Sequence, residues 1–297
     1  MIRSRRHKTR RLLSHLFLLV AVVLAGGFGA AALVRYSPGF DSIPGDLNPD
    51  IAPETLRALH TQHTRENSLP VFYARYLKRA ATGDLGLSES LQRPVAELLA
   101  RRLPLTARLV VEGSLGGWIL ALLAATIAAR TRSSAVEAGT LSLNGLLLAI
   151  PPAVLALGFF FTEAPLSLAL ALALMPRLFG TLRTILEDRF QSPDLLVARA
   201  RGVKPLDIAR RYVFSAAAPQ LAALAGVTLV LAFGLAVPIE VLCGVPGLGA
   251  LALQAATSRD MPLLCGIALP ITFFIALVQT LGDLVKPDDS AGTEAPA

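Results

Sequence analysis

The sequence predicts an all-α membrane protein with about six transmembrane helices and a large extracytoplasmic segment between the first and the second. Three observations predict it. Of 297 residues, 54% are hydrophobic and only 16% charged, with a mean hydropathy of +0.58. A soluble globular chain carries about 25% charged residues, so the polar surface needed to clothe a water-soluble protein of this length is missing. The apolar residues gather in runs of about 20, the length that crosses a hydrocarbon core of about 30 Å as a helix. The cations sit between those runs, on alternate connections. Disorder is excluded, because it requires low hydrophobicity. The net charge of +7, from 28 Lys and Arg against 21 Asp and Glu, reflects topology. A nucleic-acid partner would call for a basic face with aromatic stacking residues.

The elements follow in chain order. The first run, 12–34, comes after Arg3, Arg5, Arg6, Lys8, Arg10 and Arg11. It is longer than the roughly 7–15 apolar residues of a signal peptide, so residues 1–35 read as a cytoplasmic N-terminus and an uncleaved anchor. The segment 36–108 is expected outside, since long segments translocate largely regardless of charge. Within it, a helix is expected over 70–79 with Val71, Tyr73, Ala74 and Leu77 on one apolar face, then a turn at 83–86. Pro94 opens an amphipathic helix with Val95, Leu98, Leu99 and Leu103 to one side, expected to lie along the membrane surface. Five further spans, 109–129, 135–161, 166–186, 220–239 and 262–281, form a core over 109–284. The fourth of the six is the weakest, because Arg177 and Arg183 interrupt it. A polar tail, 285–297, follows.

Orientation comes from Lys and Arg in the short connections. With the N-terminus inside, the inner connections carry Arg130 and Arg132, then Arg183, Arg189, Arg199, Arg201, Lys204, Arg210 and Arg211, and finally Lys286. The short outer connections carry one cation, Arg259, beside the acidic Glu163, Glu240 and Asp260. Both termini are therefore expected in the cytoplasm.

Catalytic motifs are missing. There is no Gly-x-x-x-x-Gly-Lys-Ser/Thr, so the chain is not expected to hydrolyse ATP, and neither His-Glu-x-x-His nor Gly-x-Ser-x-Gly occurs. Of the four histidines, His7, His15, His60 and His63, the last two lie three residues apart in the polar segment 36–108 and read as solvated side chains, while Cys243 and Cys265 read as small apolar fillers without metal-site spacing. Ion-coupled carriers place ionisable groups inside the membrane. Here the spans hold little beyond Glu112, Arg177, Glu240 and Asp283. Active transport would need energy from outside the chain, and a self-sufficient channel or ion-coupled secondary transporter is the alternative.

The most informative segment is the inner loop 187–219. Ala198-Arg199-Ala200-Arg201-Gly202-Val203-Lys204-Pro205 is followed by Ile208-Ala209-Arg210-Arg211. A short helix is expected to stop at Gly202, with Pro205 opening a second one. Such an arginine-rich knob suits a soluble partner, or is an ordinary positive inner loop. After the fifth span, Glu240 leads to Pro246-Gly247-Leu248-Gly249, a turn by propensity, and then to Asp260.

These pieces, in this order, resemble the inner-membrane permease subunits of binding-protein-dependent ABC importers, in the dipeptide, oligopeptide and nickel branch. The resemblance runs from Leu69-Pro70-Val71 and Tyr73-Ala74-Arg75-Tyr76-Leu77 through Gly83-Asp84-Leu85-Gly86 and Arg93-Pro94-Val95 to Arg102-Leu103-Pro104. It continues with Ile150-Pro151, Glu240, Pro246-Gly247-Leu248-Gly249, Asp260 and Asp283. It implies a type I importer permease fold, with residues 198–208 as the coupling element that docks on an ATPase. It implies as partners two cytoplasmic ABC ATPase subunits that bind the ATP, a second permease subunit, an extracytoplasmic solute-binding protein and membrane lipid, in a bacterial inner membrane. No cofactor is expected in this chain itself. Three departures stand out: Leu196-Val197-Ala198 in place of Glu-Ala-Ala, a short Thr162-Glu163-Ala164-Pro165 connection, and an acidic ending after Lys286. A peptide is the expected solute ahead of nickel, since the spans offer almost no His or carboxylate ligands.

Overall fold

The computed structural model describes residues 2–36, 69–131, 134–190, 192–204 and 207–285. All the named elements among them are helical, apart from one isolated antiparallel bridge, Leu87 with Pro94. We number the α-helices α1 (Ile2–Arg35), α2 (Leu69–Ala80), α3 (Val95–Thr131), α4 (Ser134–Ala149), α5 (Pro152–Phe161), α6 (Leu166–Phe190), α7 (Pro193–Ala200), α8 (Ser215–Leu242), α9 (Leu248–Thr257) and α10 (Met261–Val285). A π-helical turn, Ile208–Phe214, leads directly into α8.

Among the described residues, five helices are long and apolar enough to cross a membrane, and a bent pair makes a sixth candidate. That pair corrects the third expected span, 135–161. It is broken at Ile150-Pro151, where residues 138–149 and Pro152–Phe161 meet at 87°. Pro151 has ψ 136°, and neither Pro151 nor Pro152 has an N–H to continue the helical ladder. A second correction concerns the helix opened by Pro94. It has no break from the second span: α3 runs unbroken from Val95 to Thr131, through Pro104.

The chain divides into two compact units, Met1–Pro104 with Pro246–Ala276, and Leu105–Val245 with Leu277–Ala297. In the first, Ala31 of α1, Leu69, Tyr73 and Tyr76 of α2, and Cys265 form one buried cluster. Its α2 face is thus Leu69, Tyr73 and Tyr76, the i, i+4, i+7 stripe of a helix. The expected apolar face is corrected accordingly, because Val71 and Ala74 are exposed. The Tyr73 hydroxyl donates to the Leu24 carbonyl at 2.8 Å, and its ring meets Phe28 edge-on with centroids 5.6 Å apart. Burial raises the pKa of both the Tyr73 and Tyr76 phenols. A second cluster gathers Val95, Leu98, Leu251, Ala255, Leu263 and Ile267.

In the second unit α6 is the hub. Leu170, Leu174, Leu178, Leu182 and Leu186 repeat at every fourth position and are all buried. Ala169, Ala171 and Ala173 are buried as well, so the helix is enclosed on more than one side. In lipid, helices associate through close van der Waals packing and small residues. Gly113 and Gly117 of α3 supply that closeness. A Cβ at Gly113 would fall 2.6 Å from Leu170 Cδ2, and one at Gly117 3.1 Å from Leu174 Cβ.

Candidate functional site

The segment 198–208, expected from the sequence as a coupling element, is built from one helix end and one irregular turn. α7 begins after Ser192, whose hydroxyl bonds the Arg189 carbonyl at 2.8 Å, and it ends at Ala200. Gly202 has φ +70°, and Val203 N donates to the Ala198 carbonyl at 3.2 Å. This six-to-one bond across a left-handed residue is the Schellman stop, which glycine makes without a Cβ penalty. Val203 packs on the core that contains Leu195 and Ala198. Pro205 lies outside the described residues, and of Arg199 only the backbone is described.

The second short helix expected after Pro205 is not separate. Ile208–Phe214 is wound as a π-helix and continues into α8, with Ser215 N donating to the Arg210 carbonyl five residues back. The winding has a packing reason. Ile208 and Val213 are both buried. Five residues apart on an α-helix they would point about 140° from each other, whereas i→i+5 winding returns them to one face. They join Leu186, Leu195 and Ala198 in the core of the second unit. Arg201, Gly202, Lys204, Arg210 and Arg211 are left exposed, and Ala200 with them. Asp194 and Asp207 are exposed in the same segment, but no ion pair joins them to these four cations among the described residues.

Glu240, the 246–249 turn and Asp260 are held differently. Glu240 is fully buried near the end of α8, where its Oε1 accepts from the Thr106 hydroxyl of α3 at 2.5 Å. α8 stops by the same device as α7: Gly244 has φ +65° and Val245 N donates to the Glu240 carbonyl at 2.9 Å. Gly247 is the extended residue before α9, its carbonyl receiving Leu251 N at 3.1 Å, while Leu248 and Gly249 are buried. Pro246 directly precedes this start.

Asp260 is also fully buried. Its Oδ1 accepts Leu263 N at 3.0 Å, capping the first turn of α10. Its Oδ2 accepts the Ser88 hydroxyl at 2.6 Å, the Ser90 hydroxyl at 2.8 Å and Ser90 N at 2.9 Å. One carboxylate thus ties the loop after Gly86 to the start of α10. Sequence reasoning missed Ser88, Ser90 and Thr106 as partners. Asp260-Met261-Pro262 does carry the signature of a capped helix start, but nothing local pairs it with serines some 170 positions away.

Asp283 lies on α10, with only its backbone described. Arg177, in the weakest expected span, donates to the Ala173 carbonyl at 2.9 Å. Arg183 pairs with Glu187 at 2.6 Å. Both cysteines are buried and free. No group of three or more His, Cys, Asp or Glu able to hold a metal occurs among the described residues.

Comparison with known proteins places this architecture. A permease of Brucella abortus (strain 2308), provisionally named for a peptide transport system, is 26% identical over 274 residues, covering 82% of this chain and 87% of its own. The dipeptide transport system permease protein DppB of Lactococcus lactis subsp. cremoris is 24% identical, covering 81% and 87%. The nickel import system permease protein NikB of Staphylococcus aureus is 22% identical, covering 93% and 89%. A chain of the MetNI methionine ABC transporter in an inward-facing conformation has the same fold, with a TM-score of 0.56 at 19% identity over 68% of this chain and all of that one. The family of binding-protein-dependent transport system inner membrane components matches residues 119–286. That is more than half of the chain, which therefore belongs to this family: it is a multi-pass inner-membrane permease of an ABC importer and not an enzyme.

Proposed function

We propose that this permease forms half of the translocation path of a peptide importer, paired with a second permease and driven by two ATPase subunits that bind the ATP. A permease of a binding-protein-dependent importer works with an ATPase and with a protein that delivers the solute. On this reading both termini and the loop 187–219 are cytoplasmic, and the segment 36–108 faces the binding protein. Residues 198–208 are the docking element. The relatives named for peptides support the choice of solute, together with spans nearly bare of metal-binding side chains.

One observation carries the docking assignment. α7 and the π-helical turn send Leu195, Ala198, Ile208 and Val213 into the core and leave Arg201, Gly202, Lys204, Arg210 and Arg211 outward. A push on that surface is transmitted to α6 and α8 through packed side chains rather than through a slack loop. Coupling of this kind needs two arrangements of the bundle that the ATPase and the binding protein bias differently.

The test is purification from the native membrane in mild detergent, with mass spectrometry of what accompanies the chain. A P-loop ATPase and a second six-span subunit are expected, and Gly202→Trp should release the ATPase while insertion is unchanged. Normal uptake by the Gly202→Trp variant would remove the docking role. Transport by the purified chain alone in liposomes would favour a self-sufficient carrier.

A further inference from the structure

Within the second unit, a cleft of about 780 Å³ opens between α6, α8 and α10 at their loop-187–219 ends. Ile185, Leu224, Val227 and Val278 supply its apolar wall, and Arg189, Gln220 and Gln279 its polar part. Arg189 is partly buried, and its guanidinium has no hydrogen bond or ion pair among the described residues. Arg183, two turns earlier on the same helix, is paired with Glu187.

The depth of the cleft is readable from α6. A hydrocarbon core of about 30 Å takes roughly 20 helical residues. Counted from Leu166, the start of α6, these end near Leu186, one turn before Arg189. The unpaired cation therefore stands at headgroup level. Thr181, which also lines the cleft, lies about 12 Å deeper at 1.5 Å per residue. The cleft thus runs from a cationic mouth at the membrane surface along apolar walls into the hydrocarbon.

We propose that this cleft binds one anionic phospholipid. The phosphate sits on Arg189, whose planar fork matches two of its oxygens. The amides of Gln220 and Gln279 donate to the ester oxygens below, and an acyl chain lies along Ile185, Leu224, Val227 and Val278. Basic pockets between membrane helices take anionic headgroups for the same electrostatic reason. A zwitterionic peptide fits less well, because none of the described lining residues is acidic to receive its amino group. The inference needs only the membrane setting, so it stands apart from the peptide and coupling assignments.

The experiment is native mass spectrometry of the full-length chain in detergent, titrated with phosphatidylglycerol or with phosphatidylcholine of the same acyl chains. One phosphatidylglycerol should bind about ten-fold more tightly than phosphatidylcholine. Arg189→Gln should erase that preference with an unchanged thermal midpoint. Arg189→Lys should keep part of it, and Arg211→Gln, on the exposed π-helical turn, should keep all of it. Equal binding of the two lipids overturns the proposal, as does full preference in Arg189→Gln. Displacement of the lipid by a dipeptide would assign the cleft to solute instead. Loss of the lipid when a second permease binds would assign it to a subunit interface.

Discussion

Asp260 and the Arg201–Lys204 stretch are both polar motifs at helix ends, and they use their polarity in opposite directions. The Asp260 carboxylate is fully enclosed and receives bonds from Ser88, Ser90 and Leu263. Arg201 and Lys204 stand outward on a helix end whose apolar side is packed inward. A motif in this chain can therefore be an internal tie or an offered surface, and burial tells which. The ties should govern stability and the surface should govern association.

The sharpest break in that contrast is Asp260→Ala. It strips the acceptor from two serine hydroxyls and two backbone N–H groups inside the first unit. We expect a loss of about 3–5 kcal/mol, read as a large fall in thermal midpoint in detergent. A wild-type midpoint would show that the tie is dispensable. Next comes Thr106→Val, which removes one hydroxyl from buried Glu240 and should cost about 1–2 kcal/mol. Adding Glu240→Met should recover part of the loss, since a matched apolar pair no longer buries a polar group. No recovery would mean that Glu240 has a role beyond its packing. The smallest stability effect belongs to Arg201→Ala with Lys204→Ala. These exposed changes should alter stability by less than about 0.5 kcal/mol yet lower ATPase retention roughly five-fold at low salt, with the difference from wild type shrinking as salt rises. Equal retention at every salt concentration would argue that the cations do not face the partner.

Much of the fold is legible in composition, because a helix in lipid advertises itself by length and apolarity. The weakest expected span is the instructive case. Residues 166–186 read poorly because of Arg177 and Arg183, yet 61% of the α6 spanning window is buried, against 17% for the first span. A helix wrapped by other helices need not be as lipophilic as one that faces lipid, so hydropathy underrates the hub and favours the periphery. Gly202 was readable as a helix stop because that chemistry is local. Ser88 with Asp260 and Thr106 with Glu240 were not, because each pairing joins residues more than 130 positions apart. Nor could the sequence show that α2 buries Leu69 and Tyr76 beside the expected Tyr73, rather than Val71 and Ala74, since several rotations of that helix offer an apolar face.

The π-helical turn has one more consequence, for how the chain tolerates changes in length. An α-helix that kept Ile208 and Val213 on one face would set them four residues apart, and here they are five apart. Arg210 and Arg211 lie between them, both exposed. With either removed, the two buried residues would fall at the α spacing and α8 would keep its inward face. The segment thus joins the Gly202 loop to a long helix with one residue to spare, and it is the place where a deletion can arise without turning the helix that follows.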